Sequence, residues 1–350
     1  MGLSIALGQA RSVPGDLAAN LATAVRLVHE AAAAGARLLA LPELFACGYD
    51  PAAVARAGPG LTLTPPSPGT APADGSPLAP LSRAAADAGI WVVVGAALAR
   101  PGGGPGPGPE PEASPYDGTA HEATAHDTTA RPGTPGRSGQ PYNAVLVVDP
   151  AGVVAGHYAK AHLWGPERDA FSPGTGLVAI EDGGVSLGLG ICYDAGFPEF
   201  ARAHRRAGAH AVLYCSAFAE GATEHRYGVY HPARAVENGV YTLVSNAVGD
   251  IAGEHYFGRS GAWDPTGRPL TALGDEEGVR VVTVDPDETA LVRRELPYLA
   301  ELRTDLLGAA PPQPTITRLR PSAASATTVT TATTVPRSTG APHAARLPRR

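Results

Sequence analysis

Three reactive side chains each stand at the end of an apolar run, and their types complement one another. The segment Gly188-Leu-Gly-Ile-Cys192-Tyr-Asp-Ala-Gly-Phe-Pro-Glu199 reads as a strand that ends in a cysteine, with a helix beginning six residues later. A nucleophile at such a strand-to-helix elbow projects into the cleft at the edge of a sheet, where backbone N–H groups can stabilise an oxyanion. A thiol at its ordinary pKa is mostly protonated at neutral pH, so it needs a base and a nearby positive charge. Leu39-Ala-Leu-Pro-Glu43-Leu-Phe offers a carboxylate just past a strand, and Gly156-His-Tyr-Ala-Lys160-Ala-His-Leu-Trp offers an ammonium in the same position. Each has an ordinary alternative: a buried core cysteine, an exposed acid, a solvated lysine. The other two cysteines, Cys47 and Cys215, lie in apolar surroundings where core filling suffices.

The elements that must position these groups alternate along the chain. Leu3 to Gln9 reads as a buried strand. Asp16 caps a helix whose Leu17, Leu21, Val25 and Val28 share one face and which Gly35 ends. Leu38 to Leu41 and Trp91 to Leu98 read as strands, with a helix over Leu78 to Ala88 between them. Asp149-Pro-Ala-Gly152 is a turn signal between Ala144–Asp149 and Val153–Ala159, which predicts a hairpin. Strands follow over Val185–Ile191, Ala211–Cys215, Tyr241–Ser245 and Val279–Asp285, helices over Pro198–Ala207 and Pro232–Asn238, and a hairpin about Asp264-Pro-Thr-Gly267. Parallel crossovers mixed with hairpins imply an α/β protein with mixed sheets, packed as two sheets face to face between helix layers.

Composition bounds the rest. Much of the excess of Gly (43) and Pro (35) falls in Pro101–Pro141 and Pro311–Arg350, which lack a sustained apolar period and read as disordered. One domain over 1–308 remains, with an insertion at 101–141 and a disordered tail over 309–350. The last forty residues carry six arginines and no acid, so the preceding chain holds −12 against a net −6. An acidic body does not suggest nucleic-acid binding. Three cysteines without a Cys-x-x-Cys pair argue against a disulfide framework or a cysteine-held zinc. His121 and His126 are five apart rather than four, so they do not form the two-histidine metalloprotease motif despite Glu122. No metal and no organic cofactor are expected. No apolar run reaches membrane-spanning length, and the chain starts directly in a strand pattern without a secretory leader, so a cytoplasmic location is expected.

Together the segments resemble the three motif regions of the nitrilase, or carbon–nitrogen hydrolase, superfamily. The glutamate motif is matched by Leu41-Pro-Glu43-Leu-Phe-Ala-Cys-Gly48-Tyr49. The lysine motif is matched by Tyr158-Ala-Lys160-Ala-His162-Leu163, then Glu167, Phe171 and Gly174. The cysteine motif is matched by Gly190-Ile-Cys192-Tyr-Asp194 with Phe197-Pro-Glu199. Further similarity runs through Arg234-Ala-Val-Glu237-Asn238, Asn246 and Gly258-Arg-Ser260. The resemblance spans Leu3 to Leu307 apart from the insertion. It implies a four-layer αββα sandwich, no cofactor, and pairing through helices into a homodimer or larger assembly. It also implies a catalytic set of Glu43, Lys160 and Cys192, with Glu167 helping to hold the lysine and orient the substrate.

The mechanism expected is thioester formation. Glu43 takes the thiol proton, Cys192 attacks an amide carbonyl, and Lys160 with the Tyr193 N–H stabilises the oxyanion. Trp164, Phe197 and Phe218 are candidates for the acyl pocket, with ordinary core packing as the alternative. Nitrile-cleaving members show Trp-Glu after the cysteine, whereas this chain has Tyr193-Asp194, which resembles the amidase branches. The expected substrate is therefore a small aliphatic or ω-type amide. An N-carbamoyl amine or amino acid comes next, then a nitrile. A non-catalytic binding or assembly role on the same scaffold is the reading from another class.

Overall fold

The structure, a computed structural model, describes residues 2–100, 139–307 and 314–322. Alternation along the first strands sets the layers. In β1 (Leu3–Gln9), Leu3, Ile5 and Leu7 point to one side and Ala6 to the other. The period of two continues through β2 (Leu38–Ala40) and into β3 (Trp91–Leu98), where Trp91 and Val93 face inward and Val92 and Val94 outward. The outward set packs on the apolar faces of two helices. These are α1 (Leu17–Ala33), capped by the Asp16 side chain on the Ala19 N–H at 2.9 Å, and the later helix over Ala79–Ala88, stopped by a left-handed Gly89. Between β2 and that later helix runs a short helix, α2 (Pro51–Ala57), that periodicity does not signal, so Ala79–Ala88 is α3. After β3 come β4 (Tyr142–Val148) and β5 (Val154–Ala159), paired antiparallel as the Asp149 turn predicts.

The second half repeats the plan. A four-residue helix, α4 (Glu167–Ala170), leads to β6 (Leu177–Asp182) and β7 (Val185–Ile191), antiparallel to each other. Parallel crossovers through α5 (Pro198–Arg206) and α6 (Tyr227–Val236) then add β8 (Ala211–Ser216) and β9 (Tyr241–Asn246). A hairpin of β10 (Val248–Ile251) and β11 (Glu254–Phe257) stands apart as a two-stranded sheet. Then come β12 (Gly261–Trp263), β13 (Pro269–Ala272) and β14 (Gly278–Val284). The last of these returns to pair with β1, and α7 (Pro286–Glu295) follows. The six-stranded sheet runs β14-β1-β2-β3-β4-β5, and both sheets mix parallel and antiparallel pairs. One apolar cluster joins the inward-facing residues of β1–β5, such as Ile5, Val93 and Val145, to Ile180, Leu187 and Leu213 of the facing sheet. The two sheets thus pack face to face between helix layers, a four-layer αββα sandwich. Ser245 Oγ bridges them by donating to Gly8 O at 2.6 Å.

Two expectations are corrected. The helix expected to start at Pro232 starts at Tyr227, with Pro232 inside it. Proline favours the first turn of a helix, which is why the sequence points to a start there. One missing backbone bond is nonetheless tolerated where Tyr227 and His231 bury the helix face. The stretch expected to be a disordered tail contains a strand, β15 (Ile316–Leu319), parallel to β6 and completing a seven-stranded sheet. Only Leu319 of its four residues is buried, against Gly156; main-chain pairing and the Arg318 guanidinium, which meets Glu181 and donates to Ala207 O, hold the rest, and a search for apolar periods registers neither. Ser322 N donates to Asp149 Oδ2 at 2.7 Å, anchoring the segment to the β4–β5 turn. The insertion expected at 101–141 lies outside the described residues up to 138, as do His121, Glu122 and His126.

Candidate active site

The predicted catalytic groups come from three separate strand ends, after β2, β5 and β7, and Glu167 opens the short helix α4. Leu41 N donates to Val93 O at 2.8 Å and Ala46 N to Gly95 O at 2.9 Å, so the turn after β2 lies along β3 and places Glu43 over Gly95. A Cβ at Gly95 would overlap the Pro42 carbonyl and meet Leu44 N at 2.5 Å. Lys160 follows β5 and extends its ladder, its N–H donating to Asn143 O at 2.8 Å while its carbonyl accepts from Gly174 N at 2.8 Å. A Cβ at Gly174 would overlap the Ala159 carbonyl. Both charged residues are thus seated on glycines because their backbones approach too closely for a side chain. Leu44 (φ 49°) and Cys192 (φ 40°) occupy the left-handed region that non-glycine residues rarely adopt. The strained cysteine begins a 3-10 turn over Cys192–Gly196, so Tyr193 is its second residue, where the N–H has no partner within the turn.

At the floor, Lys160, Glu43 and Glu167 are all buried. Lys160 Nζ lies 2.5 Å from Glu43 Oε1 and 2.8 Å from Glu167 Oε1. Glu167 is therefore no surface acid, and two carboxylates share one ammonium. Asn143 Nδ2 donates to the same Glu43 oxygen at 2.7 Å, while Glu43 Oε2 has no protein partner among the described residues. Tyr49 donates through its hydroxyl to Glu167 Oε1 at 2.6 Å, and Trp164 N donates to Oε2 at 2.9 Å. Asp194 accepts from Ile191 N, His162 N and Tyr158 Oη at 2.8–3.0 Å, binding the lysine strand end to the cysteine elbow. Arg234 donates from α6 to Ala195 O at 2.9 Å and Gly196 O at 3.1 Å, clamping the far end of that elbow.

Burial and like charge push the Glu43 carboxyl up to about 8: desolvation acts most strongly, Lys160 pulls it down, and Glu167 pushes it up. Burial alone would lower Lys160, but Glu167 and Glu43 outweigh it and hold the ammonium above its usual range. The same burial, with the Glu43 charge, raises the Cys192 thiol well above the usual range, against a smaller pull from Lys160 and the Ala217 N–H. Three acidic groups around one ammonium in a dry site cannot all ionise. A free thiolate is thus disfavoured, and the thiol must lose its proton as it reacts.

Cys192 is half-buried at the base of a cavity of about 300 Å³, lined by Tyr49, Trp164, Tyr193, Phe218, Arg226 and Tyr256 among others. Of the expected pocket residues, Trp164, Tyr193 and Phe218 line this cavity. Phe197 does not: it stacks on His162 at 3.8 Å between ring centroids, outside the cavity lining, so its expected pocket role is replaced by packing behind the elbow. Cys47 and Cys215 are buried, as core residues. Sequence reasoning assigned no role to Asn143, Tyr49 or Asp194, and none to the β10–β11 hairpin that supplies Tyr256. Tyr49 and Asp194 lay within the motif segments. Asn143 follows the long insertion and carried no signal. Among the described residues no group of three or more His, Cys, Asp or Glu is placed to hold a metal ion, and no helix is long and apolar enough to cross a membrane.

The carbon-nitrogen hydrolase family model matches residues 4–294. An (R)-stereoselective amidase from Pseudomonas sp is 37% identical over 177 residues, covering 49% of this chain and 62% of that protein. The 2-oxoglutaramate amidase of Bacillus subtilis (strain 168) is 34% identical over 168 residues, covering 47% of this chain and 64% of that protein. The chain thus spans a little under two thirds of the length of these curated relatives. A double mutant of the amidase from Nesterenkonia sp. AN1 in complex with acrylamide superimposes with a TM-score of 0.64 at 29% identity, over 88% of this chain and 96% of that one. A further structure of that amidase, at 30% identity with a TM-score of 0.64, over 87% of this chain and 95% of that one, shows covalent addition of the acetamide moiety of fluoroacetamide at its active-site cysteine.

Proposed function

The chain belongs to the carbon–nitrogen hydrolase family, and from that premise we propose that it is an amidase converting a small primary amide to a carboxylate and ammonia through a thioester on Cys192. The observation that carries this reading is the buried Lys160, held 2.5 Å from Glu43 and 2.8 Å from Glu167 beneath a cavity that opens on Cys192. Burying three ionisable groups is costly, and removing their partners costs more. A scaffold that only binds has no use for a carboxyl poised near neutral pH beside a thiol.

The steps follow from the donors present. Glu43 takes the thiol proton as sulfur bonds to the amide carbon. Lys160 has three N–H donors and two are engaged by Glu43 and Glu167, so the third meets the developing oxyanion together with the Tyr193 N–H. Collapse breaks the C–N bond, and nitrogen leaves as ammonia with the proton from Glu43. Water, deprotonated by Glu43, then adds to the thioester carbon. The C–S bond breaks, and the proton returns to sulfur as the carboxylic acid departs.

The test is the intact-protein mass after brief incubation with a primary amide. An acyl adduct is expected on wild type and absent from Cys192→Ala, which should release no ammonia. Normal ammonia release by Cys192→Ala would overturn the proposal.

A further inference from the structure

Away from the Cys192 cavity, the ends of three helices enclose a smaller one. Arg205 of α5, Asn238 just past α6, Arg293 of α7 and the chain at Leu296-Pro297-Tyr298 line it, and it shares no lining residue with the first. Arg205 and Arg293 are both partly buried. Each caps a helix end with part of its guanidinium. Arg205 Nε donates to Asn238 O at 3.1 Å, while Arg293 Nε donates to Gly239 O at 3.0 Å and Nη2 to Ala209 O at 2.6 Å. Capping is the ordinary role of a basic residue at such a place. A helix C-terminus carries about half a negative charge, so the ends of α5 and α6 offset about one of the two cations and leave roughly one positive charge over. Among the described residues neither guanidinium meets a carboxylate, and Glu237, beside Asn238, is held by Arg234 at 3.0 Å. The surplus shows in the neighbouring groups. Burial, and then Arg205, pushes Arg293 down to about 10. Burial also lowers His210, and Arg293 and Arg205 lower it further against an opposing pull from Glu181.

We propose that this cavity is an anion site, in which Arg205 and Arg293 together hold a free tetrahedral oxyanion of phosphate size. The Nη groups of Arg205 and Nη1 of Arg293 meet no acceptor among the described residues, so donors on two planar forks are left for ligand oxygens. A single carboxylate is satisfied by one fork, whereas a tetrahedral anion has oxygens for two. The volume, about 80 Å³, admits roughly five to eight water-sized spheres. That suits the five heavy atoms of phosphate or sulfate and is far below the size of a site for a drug-sized ligand. Leu296 and Pro297 add an apolar wall, which thins the water around the pair and leaves its field less screened than on open surface. The ligand ties the end of α5 to the end of α7, so its binding is read as stability, independently of amide hydrolysis.

The experiment is a thermal melt of the whole chain at fixed ionic strength, with sodium chloride replaced stepwise by sodium phosphate or sodium sulfate. Both oxyanions should raise the midpoint, by about 2 °C at ten times the dissociation constant for a chain of this length. Calorimetry then compares phosphate binding by wild type and Arg205→Gln, whose amide can still donate to the Asn238 carbonyl. The affinity should fall by roughly 10–150-fold, the range for hydrogen bonds to a charged group. Arg205→Lys keeps the charge without the fork, so it should fold as wild type and bind phosphate several-fold more weakly, which carries the test if the glutamine variant does not fold. A midpoint indifferent to both oxyanions would overturn the assignment, as would phosphate binding unchanged in both variants. Phosphate seated in the Cys192 cavity instead would slow alkylation of Cys192 by iodoacetamide equally in wild type and Arg205→Gln, and that result also overturns it. A second copy covering the cavity would show as a dimer in sedimentation with no response to phosphate, the remaining way for the proposal to fail.

Discussion

In the floor beneath the cavity Glu43, Lys160 and Glu167 are sealed from water, and each is fixed by a side chain from another segment of the chain. At the outer wall Trp164, Tyr193, Phe218, Arg226 and Tyr230 stand partly in solvent, several of them on short turns. The floor is built for one arrangement of charge, which burial makes costly to alter. The wall is built for contact area and can vary without disturbing that arrangement. Reaction type is thus set by the sheet ends and substrate choice by the turns above them, so substitutions in the two regions should separate rate from recognition.

The sharpest way to break this comparison is Lys160→Ala. It leaves the buried Glu167 and Glu43 without the cation they share, so turnover should fall by about 10²–10⁴-fold and stability by about 3–5 kcal/mol, read from urea midpoints. An unchanged midpoint would mean the floor is wetter than described. Glu43→Gln should remove turnover to a similar extent but move stability the other way. The folded chain holds the Glu43 proton up to about 8, whereas the unfolded chain releases it near 4.5. Ionisation therefore erodes stability as pH rises through that window. Glutamine cannot ionise, and its oxygen can still accept from Asn143 and Lys160. Glu43→Gln should therefore melt higher than wild type above pH 8, the gain fading toward pH 4.5.

Smaller effects sharpen the boundary between the regions. The kcat/KM of wild type should rise with pH through an acid limb near pH 8 as Glu43 becomes able to accept a proton. In Glu167→Gln one like charge beside Glu43 is gone, so that limb should move to lower pH. A limb that stays in place would show that Glu167 does not act on Glu43 electrostatically. Trp164→Ala should have the mildest consequence. The ring is 41% exposed and meets Tyr193 edge-on at 4.9 Å, so its removal should cost less than about 1 kcal/mol of stability. It should raise KM more than it lowers kcat.

The same division explains what could be read in advance. Glu43, Lys160 and Cys192 were legible because each interrupts an apolar run just where a strand ends, and periodicity locates strand ends well. The Val185–Ile191 strand and the Asp149 hairpin were legible for the same reason. Arg226 and Tyr256 were not, because 224–226 is a single 3-10 turn and 248–257 a minimal hairpin. Neither is long enough to show a period. Asn143 was hidden differently: its role depends on β4 lying beside β3, along which the Glu43 turn runs, and that puts its side chain against a carboxylate one hundred residues away. The strand at Ile316–Leu319 was missed because backbone pairing leaves no trace in composition.

Gly95 and Gly174 carry no functional group, yet Glu43 and Lys160 rest against them. For anyone redesigning this protein they are fixed points. A library randomised at the cavity wall can be searched freely, whereas a single added methyl at either glycine would displace a reacting group from beneath, with no compensating change available at the wall. Engineering of specificity should leave these two positions out of the mutated set.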